Sequence, residues 1–457
     1  MTTDFMSAFV KRIHFVGIGG VGMSGIAEVL LNLGYQISGS DIKESETTRR
    51  LKSLSAKIFY GHKSSHIAGA QVVVISSAVS PRNPEVLEAE KKRIPIISRA
   101  EMLSEIGRMK KTITIAGSHG KTTTTSMTAM ALSAAKANPT MIIGGRLKNI
   151  HAGARLGASD YLVAEADESD GSFVRLSPLV AIVTNIDNDH LDFHKTMEAL
   201  KASFIEHLSR LPFYGAAILC ADNPLLKEIS NSLSKPVITY GFGKSSEWTA
   251  NNIHLAKDGS NFDAVFKGKK MIQIHLSVPG KHNVLNSLAA LAAGHFLGFD
   301  LKLLAAGLSE FKGVGRRLDT IGRARGVEFV DDYGHHPTEI KATLAAVSNL
   351  WKAKRVIVVF QPHRYSRTKL LAGEFGPAFK NADQVFITDI YPAGEKPIPG
   401  VSSRLILDSV ARNGVHCAPY PGAQELSKSL KSGDVVLTLG AGDIRKTGEG
   451  LLHLLKN

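Results

Sequence analysis

The 457-residue chain is poor in cysteine, and it has no long apolar run and no repetitive tract. Cys220 and Cys417 are its 2 cysteines, too few for a disulfide framework or a cysteine-built zinc site. That usage fits a cytoplasmic protein. No run of ~18 consecutive apolar residues is present, which excludes a transmembrane helix and with it membrane insertion. The opening residues, MTTDFMSAFVKR, are too short and too polar for a signal peptide, so export is not expected. What remains is globular. The chain is 44% hydrophobic and 21% charged, enough apolar material for several cores. At roughly 150 residues per domain, the length suggests about three domains.

Lys and Arg total 55 against 41 Asp and Glu, a formal charge of +14. A basic chain of this size suits polyanions or phosphorylated small molecules. The densest short groups are Lys91-Lys92-Arg93, Arg49-Arg50 and Arg316-Arg317, and no motif of a common nucleic-acid module appears. Nucleic acid is therefore not expected as a partner.

The first segment reads as β-α-β. RIHFVGIGG is an apolar run leaving into glycines, VGMSGIAEVLLNLG has helical spacing with Gly34 as a stop, and QISGSD is a second short strand. QVVVISSAV (71–79), helical NPEVLEAEKKR and IPIISR follow, the pattern of a doubly wound parallel sheet. A second α/β unit opens at KKTITIAGSHGKTTTT, with strands YLVAEAD (161–167) and LVAIVTNI (179–186), then short β-like runs separated by turns between 235 and 278. A third begins after GVGRRLD. There GVEFVDDYG, RVIVVFQPH, QVFITDIYPAG and DVVLTLGAGD each end an apolar strand in Gly, Pro, Asp or His. Ligand residues of open parallel sheets lie beyond such strand ends.

Gly17, Gly19, Gly20 and Gly22 fit G-x-G-x-x-G between a strand and a helix, and Asp41 ends the next strand. The glycines permit a tight turn and close approach of backbone to phosphate, and an acid at Asp41 suits a ribose hydroxyl. The pattern suggests NAD(P) and does not separate it from another nucleotide. Gly117-Ser118-His119-Gly120-Lys121-Thr122 forms a second phosphate loop, with Ile115 where the strict pattern has its first glycine. Here backbone N–H groups and Lys121 suit ATP phosphates and the Thr122 hydroxyl suits Mg²⁺. Two phosphate loops of different kinds suggest one protein that holds both ATP and a second nucleotide-bearing molecule, as a kinase or ligase would and a simple dehydrogenase would not. Acidic residues cluster at Glu165, Asp167, Glu168 and Asp170, and Asp189, His190 and Asp192 close the next strand. Carboxylate and imidazole beside a phosphate loop suggest a divalent metal, Mg²⁺ with Mn²⁺ as the alternative. In the third unit, Arg364 and Arg367 can clamp a carboxylate.

Taken in order, GIGGVGMSGIAEVL, SGSD, GSHGKTTT, EADESDGSF, NIDNDHLD, PGKHNVLNSLAA, GVGRRLD, DDYGHHPTEI, FQPHRYSRT and DIYPAGE resemble the Mur ligase family over nearly the whole chain. The resemblance implies an α/β, three-domain architecture: an N-terminal Rossmann-like UDP-substrate domain (1–108), a central P-loop ATPase domain (109–315) and a C-terminal Rossmann-like domain (316–457). It implies ATP-dependent joining of L-alanine to UDP-N-acetylmuramate through an acyl phosphate, in a monomer or homodimer. The alternative within the family is a recycling ligase adding a preformed peptide to the same sugar nucleotide.

By the same resemblance the first glycine loop holds the UDP-substrate, not NAD, with Gly17, Gly19, Gly20, Gly22, Asp41, Ser76 and Ser77. Gly117, Ser118, His119, Gly120, Lys121, Thr122, Thr123, Asn283, Asn286, Arg317 and Asp332 fall to ATP. Thr122, Glu168 and His190 fall to metal, with Glu165 as the other register for the glutamate. Tyr333, Arg364 and Arg367 fall to the amino acid. Lys121, His190, Glu168 and Asp332 are the expected catalytic set. Two departures stand out: Gly153 replaces the usual Asn of the family's NARLG, and Ser203 falls where sister ligases carry a carbamylated lysine, so Lys201 is not expected to be carbamylated.

Overall fold

RIHFV builds the strand Arg12–Val16, whose last four residues are buried. Gln36–Asp41 and Val72–Ile75 flank it in parallel, placing Ile37 and Val72 on either side of Ile13. Lys57–Tyr60 and Ile96–Ser98 complete a five-stranded parallel sheet. The chain winds outward on one side of Arg12–Val16 and then on the other, so strand order reverses at that strand, where open sheets place ligands. The helix Val21–Asn32 follows the glycine turn, and Gly34, at φ 91°, ends it as expected. The computed structural model describes residues 6–76, 78–149, 152–351 and 353–456.

The second sheet has ten strands. Lys111–Ala116 lies between Tyr161–Glu165 and Val180–Val183, parallel to both. Ala216–Cys220 and Val237–Tyr240 extend it in parallel. Trp248–Ala256, Gly259–Phe266 and Lys269–Leu276 are successive neighbours at that edge, where hairpins are expected. Lys267 and Gly268, at φ 49° and 80°, supply the left-handed pair that a two-residue connection needs. On the other side stand Thr140–Leu147 and antiparallel Ala152–Arg155. Helix Val21–Asn32 packs on this pair because Gly25 has no side chain: a Cβ there would sit 3.2 Å from Ala154 Cβ.

The third sheet orders Asp319–Ala324, Val327–Asp332, Asp434–Leu439, Arg355–Phe360, Gln384–Ile387 and Cys417–Pro419, all parallel except the first. One face is covered by a core with Phe360, Phe375 and Phe379, the other by Phe329, Val359 and Leu451.

The chain divides into two compact units. The first is Met1–Ile253 with Asn261–Leu276 and Val284–Lys312; the second is Gly313–Asn457 with His254–Ser260 and Ser277–Asn283. The first unit holds the five-stranded sheet and the ten-stranded sheet except residues 254–256 and 259–260, so the boundary expected after residue 108 falls inside it. Helix Arg99–Arg108 runs almost directly into strand Lys111–Ala116. Among the described residues, no helix is long and apolar enough to cross a membrane.

Candidate active site

Strand Lys111–Ala116 ends in a loop whose shape glycine permits. Gly117 has φ 126°, and a Cβ there would lie 2.2 Å from Thr184 Oγ1. Gly120, at φ 80°, caps the helix Lys121–Ala134. The loop is pinned to the end of Val180–Val183. Ser118 N donates to Asn185 O at 3.1 Å, and His119 N to Asn185 Oδ1 at 2.9 Å. His119 O accepts from Thr184 Oγ1 at 2.6 Å and Asn185 Nδ2 at 3.0 Å. A helix start behind such a loop is the kind of place an anion site is built. Thr123 is buried in that first turn. Asn286 reaches the loop, since a Cβ on Gly120 would sit 3.0 Å from its Oδ1. Asn283, in the second unit, donates to Pro279 O at 2.7 Å.

Lys121 and the acidic run meet at the end of Tyr161–Glu165. Lys121 Nζ donates to both oxygens of the buried Glu168, at 2.9 Å each. Burial disfavours its ammonium, but Glu168, Asp167 and Glu165 outweigh that and hold Lys121 above the ordinary lysine value. Burial pushes Glu168 up to about 7 against the pull of Lys121. Glu165 Oε2 accepts from Gly144 N at 2.8 Å, and its Oε1 accepts from Thr122 Oγ1 at 3.3 Å. Burial raises Glu165 as well. His190, at φ 59°, places Nε2 3.8 Å from Glu168 Oε1 and 3.6 Å from Asp189 Oδ2. The two glutamates thus separate: Glu165 lies beside Thr122, Glu168 beside Lys121 and His190. Three buried or partly buried carboxylates against one lysine leave surplus negative charge, and their oxygens with the Thr122 hydroxyl make a donor set suited to a hard cation. Lys201 Nζ is held instead by Glu228 Oε1 at 2.5 Å. Ser203 Oγ lies 3.4 Å from His194 Nδ1, and His194 Nε2 lies 2.8 Å from the Glu168 carbonyl oxygen.

The first glycine loop is held from inside. Gly17 (φ 77°) and Ile18 donate their N–H groups to Ser40 O at 2.8 and 3.0 Å, and Gly19 N donates to Asp41 Oδ2 at 2.8 Å. Asp41 therefore closes the loop. Gly20 N donates to Gly17 O at 3.2 Å. Ser76 follows strand Val72–Ile75; Ser77 lies outside the described residues. Arg99, which sequence reasoning passed over, sits against Gly22, where a Cβ would be 3.0 Å from its Nη1. Its Nη2 is 4.0 Å from Asp167 Oδ2, so one guanidinium stands between the first glycine loop and the acidic run. Its only sequence signal is its position after the strand run IPIIS. Gly153 also has a local reason: a Cβ would meet Gly145 O at 3.0 Å.

In the second unit, the buried Asp332 carboxylate accepts from Leu318 N and Gly334 N at 2.8 Å each and from Thr343 Oγ1 at 3.2 Å. Its bonds hold the loop that carries Tyr333. Burial raises it, against the charge of Arg317. Arg317 lies over the Tyr333 ring at 5.0 Å and 3.4 Å from Glu339 Oε1. Arg316, also missed from sequence, donates to Gly440 O at 2.6 Å and Gly442 O at 2.8 Å, fixing the loop after strand Asp434–Leu439. Arg364 takes φ 71° and donates its N–H to Tyr391 O at 2.9 Å. Arg367 is buried, with Nη1 3.2 Å from His363 Nδ1. Tyr333 and Arg364 thus follow the carboxyl ends of strands Val327–Asp332 and Arg355–Phe360 of one sheet, and Arg367 lies in the short helix Tyr365–Leu370 that comes next.

Three family models match in chain order: the Mur ligase family catalytic domain at 12–111, the Mur ligase middle domain at 115–294, and the Mur ligase glutamate ligase domain at 316–442. The UDP-N-acetylmuramate–L-alanine ligase of Endomicrobium trichonymphae is 52% identical over 97% of this chain and 99% of its own. That of Geobacter sp. strain M21 is 51% identical over 98% of both. Among solved structures, the UDP-N-acetylmuramate–alanine ligase of Thermotoga maritima superposes with a TM-score of 0.82 at 30% identity, covering 97% of this chain and 98% of that one. With relatives this similar matched almost end to end, the chain belongs to the Mur ligase family.

Proposed function

We propose that this chain joins L-alanine to UDP-N-acetylmuramate with hydrolysis of ATP to ADP and phosphate, a cytoplasmic step of peptidoglycan synthesis. The observation that carries the choice of substrates is the near-complete match to relatives named for them. The geometry supports the chemistry: a phosphate loop whose lysine faces buried carboxylates, in the same unit as a second, differently built glycine loop. Residues 1–108 would hold the sugar nucleotide, 109–315 ATP, and 316–457 the amino acid with further ATP contacts.

The lactyl carboxylate attacks the γ-phosphorus and ADP leaves, giving an acyl phosphate. The free amine of alanine then attacks the acyl carbon and phosphate departs, leaving the amide. Two anions must meet in the first step, so positive charge at the γ-phosphate is the main requirement. Lys121 supplies it, and its bond to Glu168 keeps its ammonium in place when no phosphate is present. Thr122 with Glu165, and His190 with Glu168, would hold Mg²⁺, which supplies further neutralisation of phosphate charge. Proximity to Thr122 favours Glu165 as the glutamate of the first site. Tyr333, Arg364 and Arg367 would hold alanine, the guanidinium groups pairing its carboxylate.

The test is phosphate release from ATP and Mg²⁺ with UDP-N-acetylmuramate, comparing L-alanine, other amino acids, a preformed tripeptide and no amine. Release requiring both sugar and L-alanine, with a product heavier by one alanyl residue, is expected. Turnover with tripeptide alone moves the assignment to peptide recycling, and no release with any amine removes the ligase reading.

A further inference from the structure

Beneath the first glycine loop lies a carboxylate that the chemistry above does not use. Glu85, in the first turn of helix Pro84–Lys91, is fully buried. Its Oε2 accepts from Ser40 Oγ at 2.5 Å and lies 3.1 Å from His62 Nδ1. Its Oε1 lies 2.8 Å from His66 Nδ1 and 3.9 Å from His14 Nε2. His66 is held in turn by a stacked Phe59, ring centroids 4.3 Å apart. Burial alone would raise this carboxyl, but the surrounding His14, Ser40, His62 and His66 hold it down, at about 2. Glu85 is then an anion that only accepts, so Ser40 Oγ, His62 Nδ1 and His66 Nδ1 must all donate to it. His62 and His66 each bond a carboxylate oxygen directly, on different oxygens, so the group is a hydrogen-bond knot and not a metal cage.

Ser40 connects this knot to the loop. Its carbonyl accepts the N–H groups of Gly17 and Ile18, and the carboxylate of the next residue accepts that of Gly19. Three consecutive loop N–H groups therefore hang on the strand end that Glu85 grips. We propose that Glu85 is a positioning residue for the sugar-nucleotide site: by holding Ser40 it sets the backbone of residues 17–19 and so the glycine loop that receives the nucleotide. This rests on the reading of that loop as the uridine-nucleotide site. Glu85 itself touches no substrate.

Glu85→Gln turns an amide NH₂ toward a set of donors; Ser40→Ala removes the link, and with it the 3.0 Å contact of Ser40 Oγ with His62 Nδ1, while leaving the bonds of His62 and His66 to Glu85 in place. Steady-state rates give the two KM values for each variant. Both variants are expected to raise KM for UDP-N-acetylmuramate about tenfold, the worth of one charge-assisted hydrogen bond, while KM for ATP and kcat at saturation stay within about twofold. Calorimetric titration with UDP should show the same loss. A packing role alone would lower the melting temperature without changing the ratio of the two KM values. Folded variants that keep the wild-type KM for the sugar nucleotide overturn the positioning role and leave the ligase reading standing. If Glu85→Gln does not fold, Ser40→Ala decides on the same ratio. Wild-type protein that binds no UDP overturns the reading of the loop and this proposal with it.

Discussion

Gly117 is the residue on which the phosphate loop turns, and its replacement has a defined cost. A methyl group there would meet Thr184 Oγ1 at 2.2 Å and Asn185 O at 2.9 Å, in a backbone conformation that L side chains avoid. Gly117→Ala is expected to destabilise the chain by about 3 kcal/mol and to abolish ATP binding, read by chemical denaturation and nucleotide titration. Glu165→Gln removes the carboxylate beside Thr122. It should raise the Mg²⁺ concentration for half-maximal turnover by roughly tenfold or more, measured by titrating Mg²⁺ at saturating ATP. Candidate residues of the site could be picked out wherever the chemistry needs one residue type at one spacing, as with Gly117, Lys121 and Thr122. Their partners were not. Lys121 and Glu168 are 47 positions apart, and no local rule says whether the lysine meets Glu165 or Glu168. Asp332 was read as a ligand contact, and what the sequence did not show is that its oxygens also accept from Leu318 N, Gly334 N and Thr343 Oγ1.

At the scale of elements, helix Met197–Ser209 is joined to the central sheet by a polar residue in the core. His207 Nε2 lies 3.0 Å from Thr114 Oγ1, and its Nδ1 lies 3.1 Å from Phe173 O. Burial lowers His207 from 6.5 to about 4. The unfolded chain therefore binds a proton below pH 6.5 that the folded chain refuses until about pH 4. Stability is fully present above pH 6.5 and falls as pH drops through that window, by on the order of 3 kcal/mol for this group. His207→Gln, which keeps a donor and an acceptor but does not titrate, should flatten the pH dependence of unfolding between those limits. Most of the parallel strands were legible because each is a short apolar run closed by turn residues. Lys57–Tyr60, Thr140–Leu147, Ala152–Arg155, Ala216–Cys220, Asp319–Ala324 and Cys417–Pro419 were not foreseen. Four of these six stand at sheet edges, where pairing with a neighbour and not local preference makes the strand.

For the whole molecule, ligand binding and stability are coupled. A non-hydrolysable ATP analogue with Mg²⁺ at about a hundredfold excess over Kd should stabilise the fold by roughly 2.7 kcal/mol. Chelation with EDTA is expected to abolish both that thermal shift and turnover, and added Mn²⁺ to restore part of each. The +14 charge was weighed against nucleic acid, and two of the three basic pairs or runs bear on that. Arg50 is paired with Glu28 at 2.6 Å, and Arg316 is turned onto the carbonyls of the loop after Asp434–Leu439. Composition, the strand–helix alternation, both glycine loops and the family follow from the sequence alone, because phosphate chemistry at a strand end tolerates few residue types and spacings. Tertiary structure alone decided which carboxylate faces Lys121, that Asp41 and Asp332 hold loops, that Arg99 stands between the first glycine loop and the acidic run, and that Glu85 sits under that glycine loop. Those are contacts between segments far apart in the chain, and their geometry comes from how the sheets and helices pack, a property no local stretch of sequence carries.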